Sequence, residues 1–222
     1  MMYSDLESLK RMNDLLFTAF TFSSNVWMFD KREKMINFFC DQVFENESCT
    51  AVVVSDKTGE HYRMDEDVMG CNYLKYHPKV FSIVNAKACG CKGVKHKYLL
   101  TLPITEGSSV YIFLKEADEE IIQILKDMVL VLSRAIRNLE MWIERELVLL
   151  RLKENLEQFQ FLSDRLRNPL SVITGVLEIA DEIDTRKGFE MIKTSARKIK
   201  EVLDQLSDAE IESKKIYECL SS

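Results

Sequence analysis

Three cysteines and two histidines fall close together in the chain: Cys71, His77, Cys89, Cys91 and His96. Thiolates and imidazoles are suitable donors for zinc or iron, and the thiols alone would suit a redox pair. The spacing is not that of a standard site. Cys89-Gly90-Cys91 leaves one residue between thiols instead of two, and no Cys-x-x-Cys-His haem attachment occurs. Cys71, Cys89, Cys91 and His96 therefore stand as a metal or redox set, against the alternative of unrelated thiols in an irregular segment of a reduced protein. No cofactor follows from them. Arg63, Lys92, Lys95, His96 and Lys97 add a local basic patch, which a solvated surface explains equally well. A second polar group comes much later, in Ser163-Asp164-Arg165-Leu166-Arg167-Asn168-Pro169. At about 100° per helical residue, Asp164 lies nearly opposite the Leu162/Leu166/Leu170 stripe and faces solvent.

The rest of the chain limits what these residues can belong to. With 222 residues, 46% of them hydrophobic, it forms one or two domains and buries a core. Seven glycines and three prolines favour helices over many short strands. A net charge of −6 argues against nucleic acid as a partner, because phosphate backbones need clustered Lys and Arg. No apolar run approaches the ~18 residues of a membrane span. Met1 to Asp5 shows no signal-peptide pattern, and the expected location is cytoplasmic. There Cys40, Cys49 and Cys219 join the other thiols as reduced side chains.

The local patterns place the elements. Ser4 with Glu7 spells a capping box, followed by Leu6, Leu9, Met12, Leu16 and Phe20 at helical spacing. A second helix is predicted from Asp30, burying Met35, Ile36, Phe39, Cys40 and Val43. Thr50 to Val54 reads as a buried strand, with His61 to Met64 as its hairpin return. A short helix is predicted near Val80–Ala86, then a hairpin of Tyr98–Pro103 with Val110–Leu114. From Asp118 to about Asp181 one helix is predicted, with core residues Ile121, Leu125, Met128, Leu132 and Ile136. Trp27 and Trp142 read as core or interface anchors, and Met141 and the leucines of 147–152 as core. A break at Asp184–Gly188 separates Leu162, Leu166, Leu170, Ile173 and Leu177 from Phe189, Ile192, Ala196, Ile199, Leu203 and Leu206, a heptad seam. Two such hairpins would pair into a four-helix bundle.

Phe161 to Leu170 resembles the H-box of sensor histidine kinases, which typically reads Ser-His-Glu-Leu-Arg-Asn/Thr-Pro-Leu. Ser163, Leu166, Arg167, Asn168, Pro169 and Leu170 match. The proline is telling, because inside a helix it costs ~3 kcal/mol or more. The resemblance covers about residues 145–220. It puts Asp164 at the phosphoacceptor position and Arg165 at the acidic one that follows. An aspartate cannot form the family's phosphoramidate, and the three histidines, His61, His77 and His96, lie outside the hairpin. No Gly-rich nucleotide-binding segment or Asn-rich ATP box follows. Residues 10–145 resemble a GAF domain in the order of their elements, with a PAS-like sensor as the alternative.

The expected fold is α+β. A GAF-like antiparallel sheet with helices (1–140) joins through a signalling helix (141–160) to a dimerisation hairpin (161–222). The resemblance implies a homodimeric two-component-type regulator rather than an enzyme. Asp164 is its degenerate phosphoacceptor, and Ser163, Arg165, Arg167, Asn168 and Pro169 are its partner face. The implied partner is a receiver domain or a histidine kinase, and the signal a small molecule or redox change at the GAF-like domain. Two alternatives stay open: a split kinase component or receiver phosphatase using Asp164 and Asn168, and a purely structural dimeric adaptor.

Overall fold

β-branched and aromatic residues at period two build the sheet of the first unit. The computed structural model describes all residues except 1, 58, 90, 92, 93, 117, 221 and 222, with side chains described from residue 9 to residue 206. Leu6, Lys92 and Cys219 thus lie outside the described side chains. The chain divides into two units, Met1–Glu144 and Arg145–Ser222.

In the first unit, β1 (Cys49–Asp56), β2 (Gly59–Met64), β3 (Ser82–Asn85), β4 (Tyr98–Thr105) and β5 (Ser108–Leu114) form one sheet in the order β2-β1-β5-β4-β3. Every neighbouring pair is antiparallel. Strand β1, inside the sheet, pairs Val53 with Tyr62 on one side and Tyr111 on the other. The β4–β5 turn uses Gly107 at φ +75°, a conformation that a Cβ disfavours. Alternate residues divide between two faces. Val52, Val54, Leu100, Leu102, Val110 and Ile112 pack under helices, whereas Ala51, Val53, Leu99, Tyr111 and Phe113 form a smaller core with Val68, Cys71 and Cys89. The cover of that second face is drawn from the segment between β2 and β4, which includes the short helix α3 (Ala86–Cys89).

Helices α1 (Met2–Asn25) and α2 (Arg32–Phe44), with the start of α4 (Glu119–Glu178), cover the first face. The predicted α2 face of Met35, Ile36, Phe39, Cys40 and Val43 is buried throughout. Its start differs, because α2 begins at Arg32 with no side-chain cap, and Asp30 instead pairs with Lys34 at 2.7 Å. The α1 reading is corrected twice. The helix runs through Ser4, so Ser4 does not cap it. Its buried stripe is Leu15, Phe22 and Val26 of the following turn, while Leu9, Leu16 and Phe20 are exposed. Two adjacent apolar stripes compete on this helix, and packing against α2 selects the second. Val80–Ala86 is likewise corrected from helix to strand: Ile83 and Val84 pair with Leu100 and Leu99, and an open sheet edge outweighs a weak helical preference. Trp27 and Trp142 are both exposed and anchor no core.

The second unit is a helical hairpin of the later part of α4 against α5 (Thr185–Leu220). Asp184 caps α5, its carboxylate accepting the Lys187 N–H at 3.0 Å. The break therefore falls one turn earlier than predicted, and Gly188 lies inside the helix. A Cβ there would meet Val176 and Ile183 at 3.3 Å, so glycine permits the close approach. Pro169 and Val176 on α4, and Gly188, Ser195 and Val202 on α5, are buried. Leu162, Leu166, Ile173, Ile192, Ile199 and Leu206 are half-buried beside them. The predicted seams split accordingly. Leu170, Leu177, Phe189 and Leu203 stay exposed at 51–66%. The leucines of 147–152 are exposed too, which corrects their core reading.

Candidate functional site

On the hairpin, α4 sets the predicted partner face by its phase. Ser163, Asp164, Arg167 and Asn168 are exposed. Asp164 is 64% exposed, and its carboxylate lies 3.6 Å from the Arg167 guanidinium one turn on. A surface pair of this kind contributes little stability, on the order of 0–1 kcal/mol, so both groups remain available to a partner. Arg165 is drawn elsewhere: it donates to the Gln205 side chain at 2.8 Å and stacks on Phe161. Pro169 is buried in the hairpin, so it shapes this face from beneath. An open groove of about 620 Å³ runs beside Asp164, lined by Ser163, Leu166, Arg167, Leu170, Ser171 and Thr174.

In the first unit the structure brings three of the five Cys/His donors flanking α3 into one cluster with a fourth beside it. The Sγ atoms of Cys71, Cys89 and Cys91 all lie within 4.8 Å of one another. His96 Nε2 is 3.6 Å from Cys89 Sγ. Cys71, Cys89 and His96 are buried, and Cys91 is half-buried. His77 belongs elsewhere, 3.5 Å from Ser109 Oγ. The sequence reading missed Glu66, which accepts from His96 Nδ1 at 2.6 Å and from Thr50 Oγ1 at 2.7 Å. It also meets the backbone N–H groups of Lys95 and His96. Nothing in its local spacing marks it, since it reaches His96 only through the fold.

These contacts set the acidities. Burial pushes the Cys71 thiol up, and burial with two neighbouring thiols does the same to Cys91. Burial works against the Cys89 thiolate as well, but hydrogen bonds from His96 and Cys91 outweigh it and hold Cys89 below its ordinary value. Glu66 also sits low: hydrogen bonds from Thr50, Lys95 and His96 overcome its desolvation. Cys40 and Cys49, in the core under the helices on the other sheet face, are pushed up to about 12 by burial.

The basic patch does not form as read. Arg63 pairs with Asp41 at 2.6 Å, and His96 is buried on Glu66, leaving Lys95 and Lys97 exposed. A separate cleft of about 560 Å³ presents His77, Lys79, Ser109, Lys126 and Arg137 beside β4, β5 and α4. Its size suits a small ligand. Among the described residues no helix is long and apolar enough to cross a membrane.

Comparison with known proteins follows the division into units. No curated protein matches the chain. The GAF domain of a protein from Pseudomonas syringae pv. tomato, described as a sensor histidine kinase, is 14% identical, covering 65% of this chain and 99% of its own at a TM-score of 0.42. A segment of a methyl-accepting chemotaxis protein is 11% identical, covering 55% and 98% at a TM-score of 0.39. For the second unit, residues 154–213 match the family model of the His Kinase A (phospho-acceptor) domain, which makes this a histidine-kinase-like signalling chain.

Proposed function

We propose that the chain is a dimeric signalling regulator whose hairpin docks a receiver domain or a histidine kinase without accepting a phosphoryl group. The observation that carries this reading is Asp164, an exposed carboxylate paired with Arg167 within the matched residues 154–213, which the H-box resemblance sets where the phosphoacceptor histidine would stand. A carboxylate offers no imidazole nitrogen, so the docking surface is kept while the transferable group is lost. The first unit acts as the GAF-like sensor, and α4 is the covalent link along which its state reaches the hairpin.

The dimer has physical support in the apolar residues that the single chain leaves uncovered. Leu149, Leu152, Leu156, Phe159, Leu166, Leu170, Ile173 and Leu177 recur along α4 at three- and four-residue spacing, interrupted at the polar Ser163, and most are exposed. A second hairpin against Leu170, Leu177, Phe189 and Leu203 would complete a four-helix bundle. Five free thiols among the described residues suit a reducing, cytoplasmic setting.

The test is a paired phosphotransfer and binding experiment. The purified full chain is incubated with labelled ATP, with and without an active histidine kinase, and then with receiver domains of the same cell. The expected result is no label on the chain and receiver or kinase binding that Asp164→Ala with Arg167→Ala abolishes. Label incorporated into the unaltered chain would overturn the reading. Faster loss of phosphate from a phosphorylated receiver, removed by Asn168→Ala, would make the hairpin a phosphatase. Absence of any binding would leave a structural adaptor.

A further inference from the structure

We propose that Cys71, Cys89, Cys91 and His96 form a four-coordinate site for a single zinc-class divalent ion, with Glu66 as the group that orients His96. It is independent of how the hairpin is read.

The donor set is three thiolates and one imidazole, a standard complement for a closed tetrahedral site. The three sulfurs and the Cys89–His96 edge suit one ion, while His96 lies outside the mutual 4.8 Å of the sulfurs and would have to close on Cys71 and Cys91. With metal–sulfur bonds of ~2.3 Å and metal–nitrogen bonds of ~2.0–2.1 Å, a regular tetrahedron separates two sulfurs by ~3.8 Å and a sulfur from the nitrogen by ~3.6 Å. The observed Cys89 Sγ to His96 Nε2 distance is 3.6 Å. The three sulfurs, within 4.8 Å of one another, need close by only about an ångström to reach that edge. Small rotations of the cysteine side chains supply this, and half-buried Cys91 is the ligand with most room to move.

The imidazole carries the more specific evidence. His96 has both nitrogens engaged in a buried setting: Nδ1 lies 2.6 Å from Glu66 Oε1, and Nε2 lies 3.6 Å from Cys89 Sγ. With Glu66 accepting the Nδ1 proton, release of any proton on Nε2 as an ion binds would leave its lone pair available to the cluster. A carboxylate behind a ligating histidine is the usual outer arrangement of such centres. Glu66 is itself held by Thr50 Oγ1, and the His96 ring packs edge-on to Phe113 at 4.9 Å, so the ring cannot swing away freely. A redox pair would require only two of the thiols and would leave the third, converging within 4.8 Å of both, without a role.

The position gives the ion a structural consequence. Cys71 lies in the cover of the sheet's second face, Cys89 ends α3, Cys91 follows, and His96 precedes β4. Among the described residues the buried core of that face has eight members, two of them the proposed ligands Cys71 and Cys89. An ion holding four separate points would tie this cover to the sheet, in the way that metals supplement small cores.

The full chain, reduced and stripped with a chelator, is titrated with cobalt(II) and then zinc(II). The expected result is uptake of one equivalent of cobalt with thiolate charge-transfer bands and intense visible bands of a tetrahedral site. Zinc then displaces it, as the affinity order requires. Cys71→Ser and Cys89→Ser should abolish the bands, Cys40→Ala should leave them, and Glu66→Gln should weaken affinity by roughly 10–100-fold. Absence of the bands in the unaltered folded chain, checked by circular dichroism, overturns the proposal. So do bands unchanged by Cys71→Ser, or reconstitution only with iron and sulfide. Recovery of a disulfide among the three cysteines in chain that binds no metal after reduction would make the cluster redox-active instead. None of these readouts depends on receiver binding or phosphotransfer.

Discussion

Replacing Arg32 by methionine removes the guanidinium partner of a carboxylate buried in the first unit. The Asp56 side chain is fully buried, and it accepts Arg32 Nε on both oxygens at 2.9 Å and Nη2 on Oδ1 at 2.5 Å. Ser108 Oγ also donates to it, at 2.6 Å. Arg32 also donates to Thr105 Oγ1 and Ser108 Oγ, and through Nη1 it reaches Glu140 on α4. One guanidinium thus joins α2, β1, the β4–β5 hairpin and α4. Removing one member of a buried pair costs about 3–5 kcal/mol, because the remaining charge is left uncompensated. With a urea slope of about 2 kcal/mol per molar, the midpoint should fall by roughly 1.5–2.5 M. Equilibrium unfolding followed by tryptophan fluorescence reads this directly, since Trp27 and Trp142 both belong to the first unit. Arg32→Met with Asp56→Leu should recover at least about 2 kcal/mol of the loss, because apolar replacement of a whole buried pair is often neutral or better. The reasoning is refuted if the single variant loses less than about 1 kcal/mol, or if the double variant is no more stable than the single.

Leu170→Glu combined with Leu203→Glu alters two exposed hairpin residues, so helical content should persist while sedimentation shows a monomer in place of a dimer. An unchanged sedimentation coefficient would locate any dimer contact elsewhere. Cys40 and Cys49, with thiols raised to about 12, should resist alkylation in the native state at pH 8, since only about one thiol in ten thousand would be ionised even before burial blocks the reagent. Mass spectrometry should find them labelled only in urea. Glu66 carries the pH prediction. Its folded-state value lies below the ordinary 4.5, so its contribution to stability is complete above that pH and is lost as pH falls through the folded value. The stability difference between the unaltered chain and Glu66→Gln, measured by urea unfolding, should therefore shrink below about pH 4.5. A difference independent of pH would rule out the depressed carboxyl.

The parts of the fold legible in sequence are those where one periodicity has no rival. The β1 and β5 strands are short runs rich in β-branched and aromatic residues, and α2 has a single apolar stripe. Helix α1 has two stripes, and the choice between them is made by α2, which no local pattern contains. The same limitation governs the hairpin. The heptad Phe189–Leu206 is sound as a spacing, yet half of it turns outward, because Gly188, Ser195 and Val202 form the buried row one position earlier. Small residues do not register as a hydrophobic pattern, although they let helices approach closely. In the cysteine cluster the ligand types were legible and Glu66 was not, because it lies 30 residues from His96 and meets it only once the sheet is built.

Pro169 connects the stability of the hairpin to its proposed function. Proline lacks an N–H, so the carbonyl of Arg165 has no intrahelical donor at the residue beside Asp164. A helix interior tolerates this at ~3 kcal/mol only where packing compensates, and Pro169 is buried where the hairpin helices pack. The Arg165 side chain meanwhile spans to Gln205 on α5, fixing the weakened turn from outside. The hydrogen-bond ladder is thus thinnest beside the exposed Asp164–Arg167 pair, and the turn holds its shape through contacts with α5. A change in how α4 packs on α5 would therefore act on this turn through Pro169 and the Arg165–Gln205 contact. That is the behaviour required of a docking face whose geometry is set by a signal arriving along the same helix.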